Sequence, residues 1–408
     1  MRRFIACLLA AALLAGLTGC GRSSKDIENY SFALLLGIDK GDLGQYMITV
    51  RLPTSNASSD SADGSQQGNP SQEQNGSEKE QLPPDVLQAQ GDSITSALTG
   101  AKIAAMEEIN YFHIAYIIFS QELAQEENFF AIVTQLYRSK LLKQNAQILI
   151  CDGKAGDLIC KLRPVQQQRL SKAMESLRQT VSPLGVLPNS DLHALYHEML
   201  SPYLTPLVGY AALTGEASDE PAAVFPAQSN LYAGQLRQAS QNPVQVYGGV
   251  LLDSKKMLCP LTGYETQLLM ICRNVFNAAY LSYTLEGLVY DFYIELNQHT
   301  QLGVDISGEK PRATVRIRLQ AQSQTLLSTE ELTRIQELLE QMLASDIETL
   351  LKRAAAFGAD PIGLGGALAK RFPTIEAFEA YDYTDRLTDF DFDVQVEITL
   401  RNASGILY

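Results

Sequence analysis

The chain has 408 residues, enough for two or three domains with their own cores, and 46% of them are apolar against 19% charged. Lys and Arg total 32 and Asp and Glu total 46, so the net charge is −14. That balance excludes a nucleic-acid binder, because phosphate backbones are held by clustered Lys and Arg.

The chain opens with Arg2 and Arg3, an apolar run from Phe4 to Thr18, and small residues before Cys20. A basic start, a short apolar stretch and a small-residue break are the plan of an export signal. The run falls short of the roughly 20 apolar residues that a spanning helix needs. Leu17-Thr18-Gly19-Cys20 resembles the bacterial lipobox. Such a site needs a thiol to take the diacylglyceryl group, small residues that admit the peptidase, and a polar stem beyond. On this reading residues 1–19 are a lipoprotein signal peptide and Cys20 is the lipidation site. A cysteine carrying two or three acyl chains is a near-permanent anchor. Cys151, Cys160, Cys259 and Cys272 form no C-x-x-C pair, so bridged pairs and single buried thiols both stay open.

Phe32 to Asp39 and "YMITVRL" read as two strands joined through a Gly/Asp turn, with Asp39 and Lys40 as a solvated charge pair of that turn. Thr54 to Pro84 carries almost no apolar side chains and is expected to be a disordered insertion. The pattern then alternates: a helix over Ser93–Glu108, a strand over Tyr111–Phe119, a helix over Leu123–Ser139, a strand over Gln147–Cys151 and a helix over Lys154–Leu162. Asp191 to Leu200 forms a further helix. "YGGVLLDSKKMLCPLTG" reads as a hairpin, with a helix from Tyr264 after it. Arg312–Gln322 and Asp391–Leu400 alternate strictly, one with a basic outer face and the other with an acidic one, so they are expected to lie side by side with opposed charges. Between them Glu330–Phe357 is one long amphipathic helix. Its polar face is rich in Glu, which points to a cover for the sheet and away from a membrane surface. Gly358 ends it, and Asp360 and Pro361 suit the cap and first position of the next helix.

The expected fold class is α+β, with three mixed α/β domains and a C-terminal antiparallel sheet covered by the long helix. The expected boundaries are 20–197 for the N-terminal domain, 198–278 for the middle domain and 279–408 for the C-terminal domain.

Catalytic chemistry is hard to find. His193 and His197 share a helix face, with Asp191 and Glu198 nearby, but the order of H-E-x-x-H and a third ligand are missing. Gly363-Leu364-Gly365-Gly366 lacks the Lys and Ser or Thr of a phosphate-binding loop and reads as packing glycines. No catalytic, metal or cofactor residue is assigned, and no enzyme activity is expected.

Several stretches resemble the spore germination GerC family (Ger(x)C), the lipoprotein subunits of nutrient germinant receptors. They are "LTGC" with "KDIENYSFALLLGIDKGDLGQYMITVRLP", "HIAYIIFSQELAQE", "LYHEMLSPYLTPLVGYAAL", "GGVLLDSKKMLCPLTGYETQLLMICRN" and "ADPIGLGGALAKRFP". The family usually has Trp-Asp after the lipidated cysteine, where this chain has Gly21-Arg22 and no Trp anywhere. The resemblance implies a non-enzymatic subunit of three α/β domains, tethered by lipid to the outer face of the spore's inner membrane. It further implies two integral membrane partners, one transporter-like and one channel-like. The alternatives are a lipid-anchored solute-binding protein, with a pocket between two lobes, and an anchored hydrolase using His193, His197 and Glu198.

Overall fold

The computed structural model describes residues 30–53, 82–163, 170–215, 230–236 and 242–403. Cys20, the leader over residues 1–19 and the expected insertion up to residue 81 lie outside the described residues. The elements begin with β1 (Tyr30–Phe32), β2 (Leu35–Lys40), β3 (Tyr46–Arg51), β4 (Val86–Gly91), α1 (Ile94–Ala105), β5 (Glu108–Asn110) and β6 (Tyr116–Ser120). Then come α2 (Gln121–Ala124), α3 (Phe129–Arg138), β7 (Gln147–Cys151), α4 (Ala155–Lys161), α5 (Leu170–Ser176), α6 (Leu192–Leu200) and β8 (Leu207–Leu213). The remainder is β9 (Val244–Leu252), β10 (Met257–Leu261), α7 (Gly263–Cys272), β11 (Ala278–Leu285), β12 (Leu288–Asp305), β13 (Arg312–Ser323), α8 (Thr329–Ala356), α9 (Leu364–Ala369), α10 (Ile375–Glu379) and β14 (Asp391–Asn402).

Eight strands form one sheet in the order β10-β9-β8-β7-β6-β2-β3-β4. Its four central strands, β2, β6, β7 and β8, are parallel, and antiparallel pairs close it on each side. Buried parallel strands carry apolar residues on both faces, as "YIIFS" in β6 and "QILIC" in β7 do. One face packs against α1, α2, α3 and α6, and the other against α4 and α5. β8, β9 and β10 come from the segment expected as a middle domain, and they hydrogen-bond into the same sheet as the strands before them.

The C-terminal sheet runs β11-β12-β13-β14. It is antiparallel through β13 and closes with a parallel strand, since Arg312 pairs with Asp391 and Ser323 with Asn402. A parallel neighbour requires a crossover, and α8 supplies it. The inner faces of β13 and β14 bury Ala313, Val315, Ile317, Leu319, Phe392, Val396 and Ile398 against the α8 stripe of Ile335, Leu339, Leu343 and Ile347. On the outer face Arg318 Nε meets Glu397 Oε2 at 2.7 Å and Arg312 faces Asp391 at 3.6 Å, the expected charge ladder.

α7 is buried along nearly its whole length, Thr266 and Gln267 included, and its second half, Leu268 to Cys272, is apolar on every side. Leu268 to Cys272 share one core with the C-terminal sheet and with Leu207, Leu251 and Leu261 of the large sheet, so this helix is the pin between the two.

Other sequence expectations shift at their edges. The strand expected over Tyr111–Phe119 begins at Tyr116, because Asn110 caps a single 3₁₀ turn over Tyr111–His113. The helix expected over Leu123–Ser139 breaks into α2 and α3 around Gln125–Asn128.

Candidate functional site

β2, β6 and β7 end side by side, and the chain leaves β6 for helices on one face and β7 for a helix on the other. Ligand crevices of open parallel sheets form at the carboxyl ends of strands where that switch occurs. A cavity of about 310 Å³ lies there, with Asp39, Ser120, Gln121, Asp152 and Lys154 in its wall.

Asp39 is not a solvated turn residue; only 1% of it is exposed. The next-to-last position of β2 turns it inward, where Oδ1 accepts from the Ala155 amide at 2.7 Å and Oδ2 from the Gly156 amide at 2.9 Å. A Cβ at residue 156 would sit 2.7 Å from Thr49 Oγ1, so glycine is needed for this approach. Burial raises the Asp39 pKa above its ordinary value, against the pull of the two amides. Lys40 points the other way and pairs with Glu126 at 2.8 Å. The expected Asp39 and Lys40 pair therefore splits into a buried anchor that fixes β2 to α4 and a surface ion pair. Cys151 is also buried here, and burial pushes its thiol up, so the nucleophilic thiolate is disfavoured.

A second polar cluster joins the two sheets. Arg273, directly after α7, faces Glu198 of α6 at 3.7 Å and donates to the carbonyls of Pro361 and Thr205. Thr205 and Asp360 bond reciprocally: the Thr205 amide to the Asp360 carbonyl at 2.8 Å, and the Asp360 amide to Thr205 Oγ1 at 2.7 Å. The Asp360 carboxylate accepts from the amides of Gly363 and Gly365 and from Tyr383 Oη, at 2.9, 2.8 and 2.7 Å. Burial raises the pKa of Glu198 and of Asp360 and lowers that of Arg273, while the opposite charges of Glu198 and Arg273 counter it.

This cluster corrects the expected cap. The residue at the cap of α9 is Gly363, with φ of +81°, and Asp360 reaches the helix start from three residues upstream. Of the three expected packing glycines only Gly365 is one: a Cβ there would lie 2.7 Å from Tyr383 Oη and 3.0 Å from Tyr203 Cα, whereas one at Gly366 meets nothing within 4 Å. Sequence reasoning missed Arg273, Thr205 and Tyr383. A single arginine closing the apolar run "LLMICR" was the signal available.

His193 and His197 are exposed on α6, and their ring nitrogens lie 3.3 and 3.2 Å from Tyr137 Oη. Glu198 turns inward to Arg273, so the three residues of the hydrolase alternative do not converge on one point. Among the described residues no group of three or more His, Cys, Asp or Glu is placed to hold a metal ion. None of Cys151, Cys160, Cys259 and Cys272 forms a disulfide. What this arrangement can do chemically is hold elements together: its charges are spent on backbone amides, carbonyls and each other.

No curated protein matches the chain. One solved structure, described as that of the GerBC protein, is similar at 14% identity and a TM-score of 0.48, over 89% of this chain and 96% of that one. The model described as the spore germination protein N-terminal domain matches residues 23–213. The model described as spore germination B3/GerAC like, C-terminal, matches residues 247–404. With both domain models matched in order along one chain, this chain belongs to the spore germination GerAC family.

Proposed function

We propose that the protein is the lipid-anchored, non-catalytic subunit of a spore nutrient germinant receptor and acts with integral membrane subunits, one transporter-like and one channel-like, to trigger germination. The observation that carries the reading is the match of both family models, in order, over residues 23–213 and 247–404. The sequence Leu17-Thr18-Gly19-Cys20 supports attachment through Cys20 to the outer face of the spore's inner membrane. None of the described helices is long and apolar enough to cross a membrane, so in this reading the acyl chains hold the described residues at the bilayer. Tethering confines the protein near its partners and raises its effective concentration without a tight interface.

The test is Cys20→Ala in the source organism, with membrane fractionation and nutrient-triggered germination followed together. The reading expects the protein to leave the membrane fraction and nutrient response to fall, while germination by agents that bypass the receptor persists. Normal germination with a soluble protein refutes it.

A further inference from the structure

The parallel strands give the large sheet two unlike ends. The amino ends of β6 and β7 meet the turn Tyr111–His113, the end of α1 and the loop between α3 and β7, because α1 and α3 both run back from the carboxyl edge. Large apolar side chains are exposed there: Met106 at 93%, Ile103 at 73%, and Phe112 and Leu141 less so. Basic residues surround them in a chain whose net charge is −14. Lys143 Nζ lies 5.7 Å from the Phe112 ring centre, Lys102 Nζ lies 5.6 Å from that of Tyr111, and Arg138 and Lys140 come just before Leu141 in the chain. Against these four cations stand Glu107, Glu108, Glu175 and Asp191, of which Glu107 takes a hydrogen bond from Ser31, Glu175 pairs with Arg178 and Asp191 caps the start of α6. The opposite edge carries Asp152, Glu122 and Glu126, with Lys40 and Lys154 among them.

The described chain also begins at this edge. β1 pairs in parallel with β5, Tyr30 against Glu108, two residues beyond Met106. Tyr30 lies ten residues after Cys20, and at ~3.5 Å per step the chain between them spans at most about 35 Å. With Cys20 acylated, the tether joins the described residues at this amino edge and holds Tyr30 within about 35 Å of the bilayer.

We infer that the amino edge of the large sheet is a membrane-contact face: Ile103, Met106, Phe112 and Leu141 enter the headgroup layer, while Lys102, Arg138, Lys140 and Lys143 meet anionic headgroups. This rests on the lipid-anchored reading above. Apolar tips ringed by Lys and Arg are the combination that holds a surface at an anionic interface, and long basic stems can cover apolar area while their charges stay in water. The face orients the tethered subunit, with the acidic carboxyl edge turned away from the lipid.

The test separates the face from the anchor. The chain from residue 21 onward, carrying an N-terminal hexahistidine, is docked through nickel-chelating lipid on vesicles of phosphatidylcholine with or without phosphatidylglycerol, and amide hydrogen exchange is read by mass spectrometry. Peptides covering residues 103–113 and 138–145 are expected to slow on vesicles containing phosphatidylglycerol, while the β2–β3 turn around Leu43, at the other edge, is unchanged. Without the nickel lipid, Lys140→Glu with Lys143→Glu is expected to weaken binding to anionic vesicles at least ~20-fold, at about fivefold for each basic residue removed. All four apolar residues and both lysines are at the surface or partly so, and circular dichroism checks that the variant folds. Uniform exchange with and without vesicles overturns the proposal, as does slowing that needs an integral membrane protein in the bilayer. Acylation is read independently, from the mass of the N-terminal peptide of the native protein, so an unmodified Cys20 would sink the anchor and leave the vesicle result standing.

Discussion

At the scale of single residues, the polar groups that matter are buried carboxylates answered by backbone amides. Replacing Asp39 by Ala leaves two amides at the start of α4 unanswered, and denaturant unfolding should show a loss of about 2–4 kcal/mol. Arg273 is more exacting, since it holds Glu198 and two carbonyls. Arg273→Met should cost about 2–4 kcal/mol in denaturant unfolding, because it leaves the carbonyls of Pro361 and Thr205 without their donor. The pH dependence has a definite sign. Asp39, Glu198 and Asp360 are protonated more readily in the folded chain than in the unfolded one. Their contribution therefore favours folding at acid pH and is lost as pH rises from the ordinary carboxyl range through the raised values. Asp360→Asn should flatten that part of the profile, which melting temperatures taken between about pH 4 and 7 would reveal; an unchanged slope would show that Asp360 is not among the groups responsible.

Among elements, α8 and the strands it covers carry most of the C-terminal core. Leu339→Ala removes a fully buried side chain from the middle of that stripe and should cost about 2–5 kcal/mol in equilibrium unfolding. The outer charge ladder is a weaker bond. Glu397→Lys should cost at most about 1 kcal/mol, with much of the loss recovered by adding Arg318→Glu and with the whole effect shrinking in salt. These elements were also the most legible in the sequence. Strict alternation in 312–322 and 391–400, and the helical spacing of Ile335, Leu339, Leu343 and Ile347, survive because period and burial agree there. Their charges named them as neighbours, but not as parallel ones, since side-chain patterning does not encode strand direction. β12, with "LNQHTQ" at its centre, was not foreseen: two register shifts between Leu296 and Gln301 break its alternation. Asp39 was misread because a Gly/Asp turn motif and a buried helix anchor look alike until the partner amides, 116 and 117 residues away, are known. The cluster of Arg273 and Asp360 was illegible for the same reason.

For the molecule as a whole, the junction at β8 has a testable outcome. β8 pairs with β7 on one side and β9 on the other, and its residues Leu207 to Ala212 are buried. A chain stopped at residue 213, where the N-terminal family model ends, would bare that apolar strand as a sheet edge and also lose Arg273. Such edges template aggregation, so light scattering should find this fragment associated, while the chain through residue 403 stays dispersed. An equally dispersed fragment would show that β9 and β10 are dispensable.

The parallel closure of the C-terminal sheet bears on time as much as on shape. Arg318 and Glu397 meet across a separation of 79 residues, and the amide of Ile398 in β14 is answered by Glu340 from the middle of α8. Neither contact can form while the last strand is still being synthesised. Until then β13 waits with one side unpaired, and α8 lacks half of the surface it covers. Contacts so distant along the chain slow folding, so any chaperone that attends this protein should be found on β13 and α8, and should leave when β14 arrives.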